Sequence, residues 1–395
     1  MKQARDLRLQ ESARVFILGG VVKLLIAPDK FKGSLSAAGV SEALSVGWKS
    51  ILPETEVSFA PMADGGEGFA EALASALVGE WIYLESFDAI GRPIQCRFFW
   101  EPATHTAILA MSEASGIERL SSRERDPYKA STFGTGILLR RAVELGAKRV
   151  LLGLGGSATT DGGVGMAAAL GYRFLSAGGE VLEPLPSNLT RIGRIDSSEA
   201  RPLPEIIAAC DVQNPLLGTR GSAAVFAPQK GADANAVHFL EAGLAHLAGM
   251  VRRDLTCDFR NTPGAGAAGG MGYGLLSFCR ARLEPGFDLV SKAVGLEDRI
   301  AQSDLVLTGE GRLDSQTLEG KGPAGIAALA RAAGKPVLAF AGSIEESPEI
   351  HACFDATFPI IDRAVSLEEA MKDAPAFLHR AAARAARLIS NPIQL

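Results

Sequence analysis

The chain lacks the pairings that would mark a redox or zinc protein. Its five cysteines, Cys96, Cys210, Cys257, Cys279 and Cys353, are odd in number and scattered, with no C-x-x-C pair, and His105, His238, His246, His351 and His379 show no metal-ligand spacing. A reducing, cytoplasmic setting fits that usage. An excess of positive charge is also lacking: at a formal net charge of −5, nucleic acid is not expected as a partner, because binding phosphate backbones draws on clustered Lys and Arg. No apolar run reaches the roughly 20 residues of a membrane span. Val15–Val22, behind Lys2, Arg5, Arg8 and Arg14, imitates a secretory signal, but it flows into Leu24–Ala27 without a small-residue cleavage site. Familiar catalytic signatures are missing too. There is no G-x-x-x-x-G-K-[ST] phosphate loop, no H-R-D set, and neither Ser34 nor Ser157 sits in a G-x-S-x-G elbow.

Glycine and apolar residues are plentiful. The 395 residues include 44 glycines and are 47% hydrophobic. Cores stop growing beyond roughly 250–300 residues, so two domains are expected. The glycines cluster after short apolar runs, giving a repeated order of strand, glycine loop and helix. Lys23–Ala27 leads into Pro28–Gly33 and a helical period of Leu35, Ala38, Val40, Ala43 and Leu44, and Val57–Pro61 leads into Ala63–Gly68 and a helix to about Leu77. From Trp81 the texture becomes β-prone, with Gly91-Arg92-Pro93 turning between Trp81–Phe87 and Ile94–Trp100. Strands are expected at Arg149–Leu152, Ile206–Cys210, Ala223–Phe226, Asp304–Thr308, Pro336–Ala341 and Asp355–Pro359. Helices are expected at Val164–Leu170, Ala234–Arg252, Pro323–Ala333 and Leu367–Ile389. This pattern predicts a discontinuous α/β domain, 23–80 plus 285–395, with a second α/β domain, 81–284, inserted, and residues 1–22 as an extension.

The loops carry the candidate chemistry. Gly153–Gly165, GLGGSATTDGGVG, follows a strand and opens a helix, so Gly155, Gly156, Ser157 and Asp161 are candidates for holding an anion. A helix cap with a tight turn is the competing account. Gly264-Ala-Gly-Ala-Ala-Gly269 matches G-x-G-x-x-G but follows Thr262-Pro263 instead of a strand. Gly264 and Gly266 are read as an anion-binding helix start near Ala265 or as close helix packing, and a nicotinamide-dependent oxidoreductase is the rival enzyme reading. Carboxylates recur at expected strand ends, in Asp29, Asp64 with Gly65 and Gly66, Glu67, Asp211 near Asn214, and the trio Glu310, Arg312 and Asp314. In an open α/β sheet ligands gather outside the carboxyl ends of strands, so these loops are expected to converge in one cleft. Lys32, beside Ser34 in FKGS, and Lys230 in PQKG are cations placed to meet phosphate or a substrate carboxylate.

In chain order, APDKFKGSLSA (27–37), PMADGGEG (61–68), TFGTG (132–136), GLGGSATTDGG (153–163), ACDVQNPLLG (209–218), FAPQKGA (226–232), PGAGAAGGMG (263–272) and LTGEGRLDSQT (307–317) resemble the type I glycerate kinase family. The resemblance runs from about Lys23 onward. It implies ATP-dependent phosphorylation of D-glycerate, usually at the 2-hydroxyl, with Mg²⁺ accompanying the nucleotide. It also implies a flavodoxin/Rossmann-like parallel-sheet domain built from both chain ends, an inserted α/β domain, and an active site in the cleft between them. Asp64, Asp211, Lys32 and Lys230 are then the catalytic candidates. Asp29, Ser34, Gly65, Gly66, Gly155, Gly156, Ser157, Asp161, Asn214, Gly264, Gly266 and Arg312 would bind substrate or nucleotide, and Glu310 and Asp314 would hold the metal. Thr160 stands where members commonly carry Asn, and Lys30 where Ser is common. A non-catalytic glycerate sensor is the alternative outside enzymology. Oligomeric state is left open.

Overall fold

The computed structural model describes residues 21–63, 65–66, 68–315, 317–319 and 322–390. Most of the signal-like stretch, together with Asp64 and Glu67, therefore lies outside the described residues. In chain order the strands are β1 Lys23–Ile26, β2 Glu56–Phe59, β3 Glu80–Phe87, β4 Pro93–Glu101, β5 Thr106–Ala110, β6 Arg149–Gly153, β7 Arg173–Ser176, β8 Ile192–Asp196, β9 Glu205–Ala209, β10 Arg282–Glu284, β11 Leu305–Leu313, β12 Val337–Ile344 and β13 Ala356–Pro359. They belong to two compact units. One holds the described chain up to Ala63, Glu71–Ala76 and the chain from Phe287 on, and the other holds 64–70 and Leu77–Gly286.

The first unit is a five-stranded sheet in the order β13-β12-β11-β1-β2, and each neighbouring pair is parallel. Renumbered within the unit, this is the doubly wound 2-1-3-4-5 order, whose direction reverses between β1 and β11. Continuous apolar runs explain the strands: Leu24, Leu25, Ile26, Leu305, Val306 and Leu307 are all buried, as expected where a parallel sheet is covered on both faces. Alternate residues Leu24, Ile26, Leu305, Leu307, Leu338 and Phe340 form one core with Leu44 and Trp48 of helix Ala37–Lys49 and Phe377 and Leu378 of helix Ala374–Ser390. Ser36 starts the first of these helices by accepting a bond from the Gly39 amide.

The second unit is a six-stranded mixed sheet, β10-β9-β6-β5-β4-β3, accompanied by the β7-β8 ribbon. β3, β4 and β5 are antiparallel, while β5, β6, β9 and β10 run parallel, so the last four end on one edge. The turn expected at Gly91-Arg92-Pro93 closes β3 onto β4, with Asp88 Oδ1 accepting from the Ile90 and Arg92 amides.

Three local expectations are corrected. Residues 222–226 form a helix, Ser222–Phe226, because a five-residue apolar run carries no period that separates strand from helix. The helix expected over Leu367–Ile389 is two, Leu367–Lys372 and Ala374–Ser390, since Pro375 lacks an N–H and fits only a helix's first turn. β11 extends to Leu313, so Glu310 and Arg312 stand on a strand instead of a loop.

Candidate active site

In the first unit the candidates collect at the carboxyl ends of β1 and β11, where the strand order reverses. The Asp29 amide donates to the Gly309 carbonyl at 2.8 Å, which fixes the loop after β1 beside Glu310 on the neighbouring strand. Asp29 Oδ1 accepts from the Lys30 amide at 2.6 Å. Thr317 Oγ1 donates to Glu310 Oε1 at 2.7 Å and accepts from the Asp314 amide at 3.1 Å, so one hydroxyl ties these two acids together. Arg312, two-thirds exposed, meets Asp314 Oδ2 at 3.1 Å. Lys32 is exposed on the turn Phe31–Leu35. Ser34 is not offered to a ligand: its hydroxyl donates to the Met371 carbonyl at 2.6 Å and ties the loop to helix Leu367–Lys372.

In the second unit the glycine loop lies at the shared edge of β5, β6, β9 and β10. Its glycines are there for contact. A Cβ at Gly155 would stand 2.3 Å from the Gly66 Cα, and one at Gly65, where φ is +84°, would stand 2.8 Å from the Ala209 Cβ. The Gly155 amide donates to the Gly65 carbonyl at 3.0 Å. Gly65, Gly66, Gly155 and the exposed Gly156 are thereby brought to the edge that also carries Asp211, which follows β9 and accepts from the Gly286 amide through Oδ1 at 3.1 Å.

Two residues in or against that loop depart from the sequence reading. Asp161 is fully buried and cannot reach a ligand. Its Oδ2 accepts from the Thr132 amide and hydroxyl, both at 2.8 Å, and from the Gly165 amide at 3.2 Å, while Oδ1 accepts from the Gly163 amide at 2.9 Å. Burial pushes its pKa up and these donors oppose the shift. Lys230, expected to clamp phosphate, is also buried. Its Nζ lies 2.8 Å from Ser157 Oγ and 2.6 Å from the Thr159 carbonyl, beneath the loop and turned away from water. Desolvation lowers its pKa to about 7, against the pull of Asp161.

The G-x-G-x-x-G segment is corrected as well. Its helix, Ala267–Cys279, begins with Ala268, Gly269 and Gly270 all in left-handed backbone, so no regular helix N-terminus presents amides there. The Gly266 and Ala267 amides already donate to the Asn214 and Gly264 carbonyls. Gly264 and Gly266 make room for Cys210 and Pro215, and Asn214 itself donates to the Arg220 carbonyl at 2.8 Å. Thr132, whose hydroxyl bridges Asp161 and the Met166 amide, was the residue sequence reasoning missed; its TFGTG motif was the available signal. Ala268 holds φ at +53°, which costs a non-glycine residue roughly 1–2 kcal/mol. Ala268→Gly should therefore raise folding stability by roughly 0.5–1 kcal/mol after the added unfolded-state entropy. A urea midpoint at or below that of the parent would contradict this.

In sequence comparison, a model of the glycerate kinase family matches residues 24–390. The chain belongs to the glycerate kinase family. It is 42% identical to a glycerate kinase of Bacillus subtilis, over 91% of this chain and 96% of that one. It is 38% identical to the glycerate 2-kinase of Escherichia coli, over 89% of this chain and 94% of that protein. A crystal structure titled as a "putative glycerate kinase 2" from Salmonella typhimurium LT2 is 39% identical and superposes with a TM-score of 0.84, covering 95% of this chain and all of that one. Among the described residues no helix is long and apolar enough to cross a membrane.

Proposed function

We propose that this family member transfers the γ-phosphoryl group of ATP to the 2-hydroxyl of D-glycerate. The observation that carries the reading is the near full-length similarity to proteins named for this activity, one of them a glycerate 2-kinase. The chemistry of the candidate groups supports it. Phosphoryl transfer asks the protein chiefly to position reactants and neutralise charge. In the first unit, exposed Lys32 and Arg312 are cations suited to a substrate carboxylate or phosphate. In the second, exposed Gly156 lies next to Ser157, and Asp211 and Asp64 are the candidate catalytic carboxylates, which would orient the substrate's hydroxyl.

Mg²⁺ accompanying a nucleotide needs only one or two protein carboxylates, because phosphates and waters complete its octahedron. The donor set at β1 and β11 fits that demand. Among the described residues no group of three or more His, Cys, Asp and Glu forms an all-protein cage, while Glu310 stands beside Asp314 through Thr317 and next to the strand leading to Asp29. Glu310 and Asp314 would hold the ion, which would neutralise charge on the phosphates. Thr317 would keep Glu310 in place.

The reading is tested by incubating the protein with ATP, Mg²⁺ and D-glycerate and measuring ADP, with ³¹P spectra to distinguish 2- from 3-phosphoglycerate. No ADP would overturn it, and 3-phosphoglycerate would overturn the choice of hydroxyl. Asp211→Asn and Asp64→Asn are each expected to lower kcat by about 10²-fold, as for loss of a positioned catalytic group. A loss of about threefold or less in both would remove them from the mechanism.

A further inference from the structure

Lys230 presents a chemical oddity that phosphate clamping does not use. The side chain is 2% exposed, and no carboxylate among the described residues contacts its Nζ. Among the described residues two acceptors meet it, Ser157 Oγ and the Thr159 carbonyl. An ammonium carries three N–H donors, one more than these two oxygens receive, whereas a neutral amine can donate an N–H to the Thr159 carbonyl and accept the Ser157 hydroxyl on its lone pair. Ser157, 8% exposed, stands between that amine and exposed Gly156 on the glycine loop.

The charged groups around Lys230 are few. Asp161, on the loop after β6, favours the ammonium, but its oxygens are occupied by Thr132, Gly163 and Gly165. Arg125, on the segment packed over Gly231, donates to the Gln229 carbonyl at 3.1 Å. Asp233 caps helix Ala234–Asp254 by accepting from the Ala236 amide. Desolvation outweighs the single favourable carboxylate, which places the amine's titration in the range where a proton acceptor is useful.

We infer that Ser157 and Lys230 form a proton path: as the substrate hydroxyl attacks, Ser157 Oγ takes its proton and passes its own to the Lys230 amine. The inference rests on the proposed glycerate kinase activity. The bond from the substrate oxygen to the γ-phosphorus forms while that from the γ-phosphorus to the bridging oxygen of ADP breaks. The substrate proton ends on Lys230 as ammonium and leaves by the same serine after product release. Ser–Lys pairs are an established way to activate a hydroxyl without histidine. Lys230 acts through Ser157, so its signature is in the pH profile.

The test begins with the wild-type protein. In ¹³C-lysine spectra one Cε resonance should titrate with a midpoint near pH 7, apart from the surface lysines; titration of every resonance above pH 9 would overturn the inference. With ATP, Mg²⁺ and D-glycerate, kcat/KM should rise about tenfold per pH unit below that midpoint and level off above it. Ser157→Ala should lower kcat and abolish this acid limb, and Ser157→Thr, which keeps the hydroxyl, should restore it. Lys230→Met should lose the limb as well, with D-glycerate binding measured calorimetrically to show that the variant is folded. A limb that persists in Ser157→Ala, or a flat wild-type profile, would overturn the path while leaving the kinase reading intact. Absence of ADP from the wild-type protein overturns the kinase reading itself.

Discussion

Asp161→Ala should destabilise the second unit by about 3–5 kcal/mol, the range for leaving a buried polar network without its charged centre. The carboxylate is where three stretches of chain meet: the start of helix Phe133–Glu144 through Thr132, the turn at Gly163, and the start of helix Val164–Ala169 through Gly165. Removing it strands two buried amides in the glycine turn, one amide at Thr132 and the Thr132 hydroxyl. That hydroxyl also accepts from the Met166 amide at 2.9 Å, so its reorientation would reach a second helix. Asp161→Asn keeps the volume but turns one acceptor into a donor facing an N–H, and an intermediate loss is expected. Urea denaturation of the three proteins checks the order. If Asp161→Ala unfolds within about 1 kcal/mol of the parent yet loses glycerate or ATP binding, the carboxylate is a ligand group after all and the structural assignment fails.

That residue shows where sequence reading reached its limit. The strands β1 and β11 were legible because a parallel strand covered on both faces reads as a continuous apolar run, and LLIA and LVL are such runs. Placing carboxylates at strand ends was also legible, since helices and loops alternate with those runs. The 2-1-3-4-5 order was not, because nothing local specifies which strand pairs with which; the structure supplies it. The glycine loop was readable as special but not as to why. Gly155 faces Gly66, the Gly162 amide donates to the Gly269 carbonyl, and Gly163 packs on Gly274, contacts that join segments about a hundred residues apart in sequence. A dense run of small residues therefore resembled an anion cradle while much of it serves backbone packing. The burial of Lys230 and Asp161 was not legible for the same reason: both lie in glycine-flanked, polar stretches that signal exposure, and burial is settled by chain segments distant in sequence.

The largest effect on activity is expected from Glu310→Gln, a loss of about 10²–10³ in kcat/KM, comparable to removing one preorganised electrostatic group from an active site. Its place carries the expectation. In doubly wound sheets the crevice at the reversal of strand order, outside the carboxyl ends, is where phosphate-bearing ligands bind. Here the reversal falls between β1 and β11, and Asp29 and Glu310 stand on its two sides, joined by the Asp29 to Gly309 backbone bond of 2.8 Å. Glutamine keeps the bond that Glu310 accepts from Thr317 at 2.7 Å, so the loop around Asp314 should remain in place and stability should change by less than about 1 kcal/mol. What glutamine removes is charge. If Glu310 holds Mg²⁺, the variant's half-saturating Mg²⁺ concentration should rise about 10–100-fold, and part of the lost rate should return at high Mg²⁺. Thr317→Val should give a smaller loss of the same kind, because it frees Glu310 to rotate without removing its charge. Activity of Glu310→Gln within about threefold of the parent at every Mg²⁺ concentration would move the metal-holding role away from the β1–β11 edge. An equal loss at all concentrations would instead give Glu310 a role in the transition state that no added ion can replace.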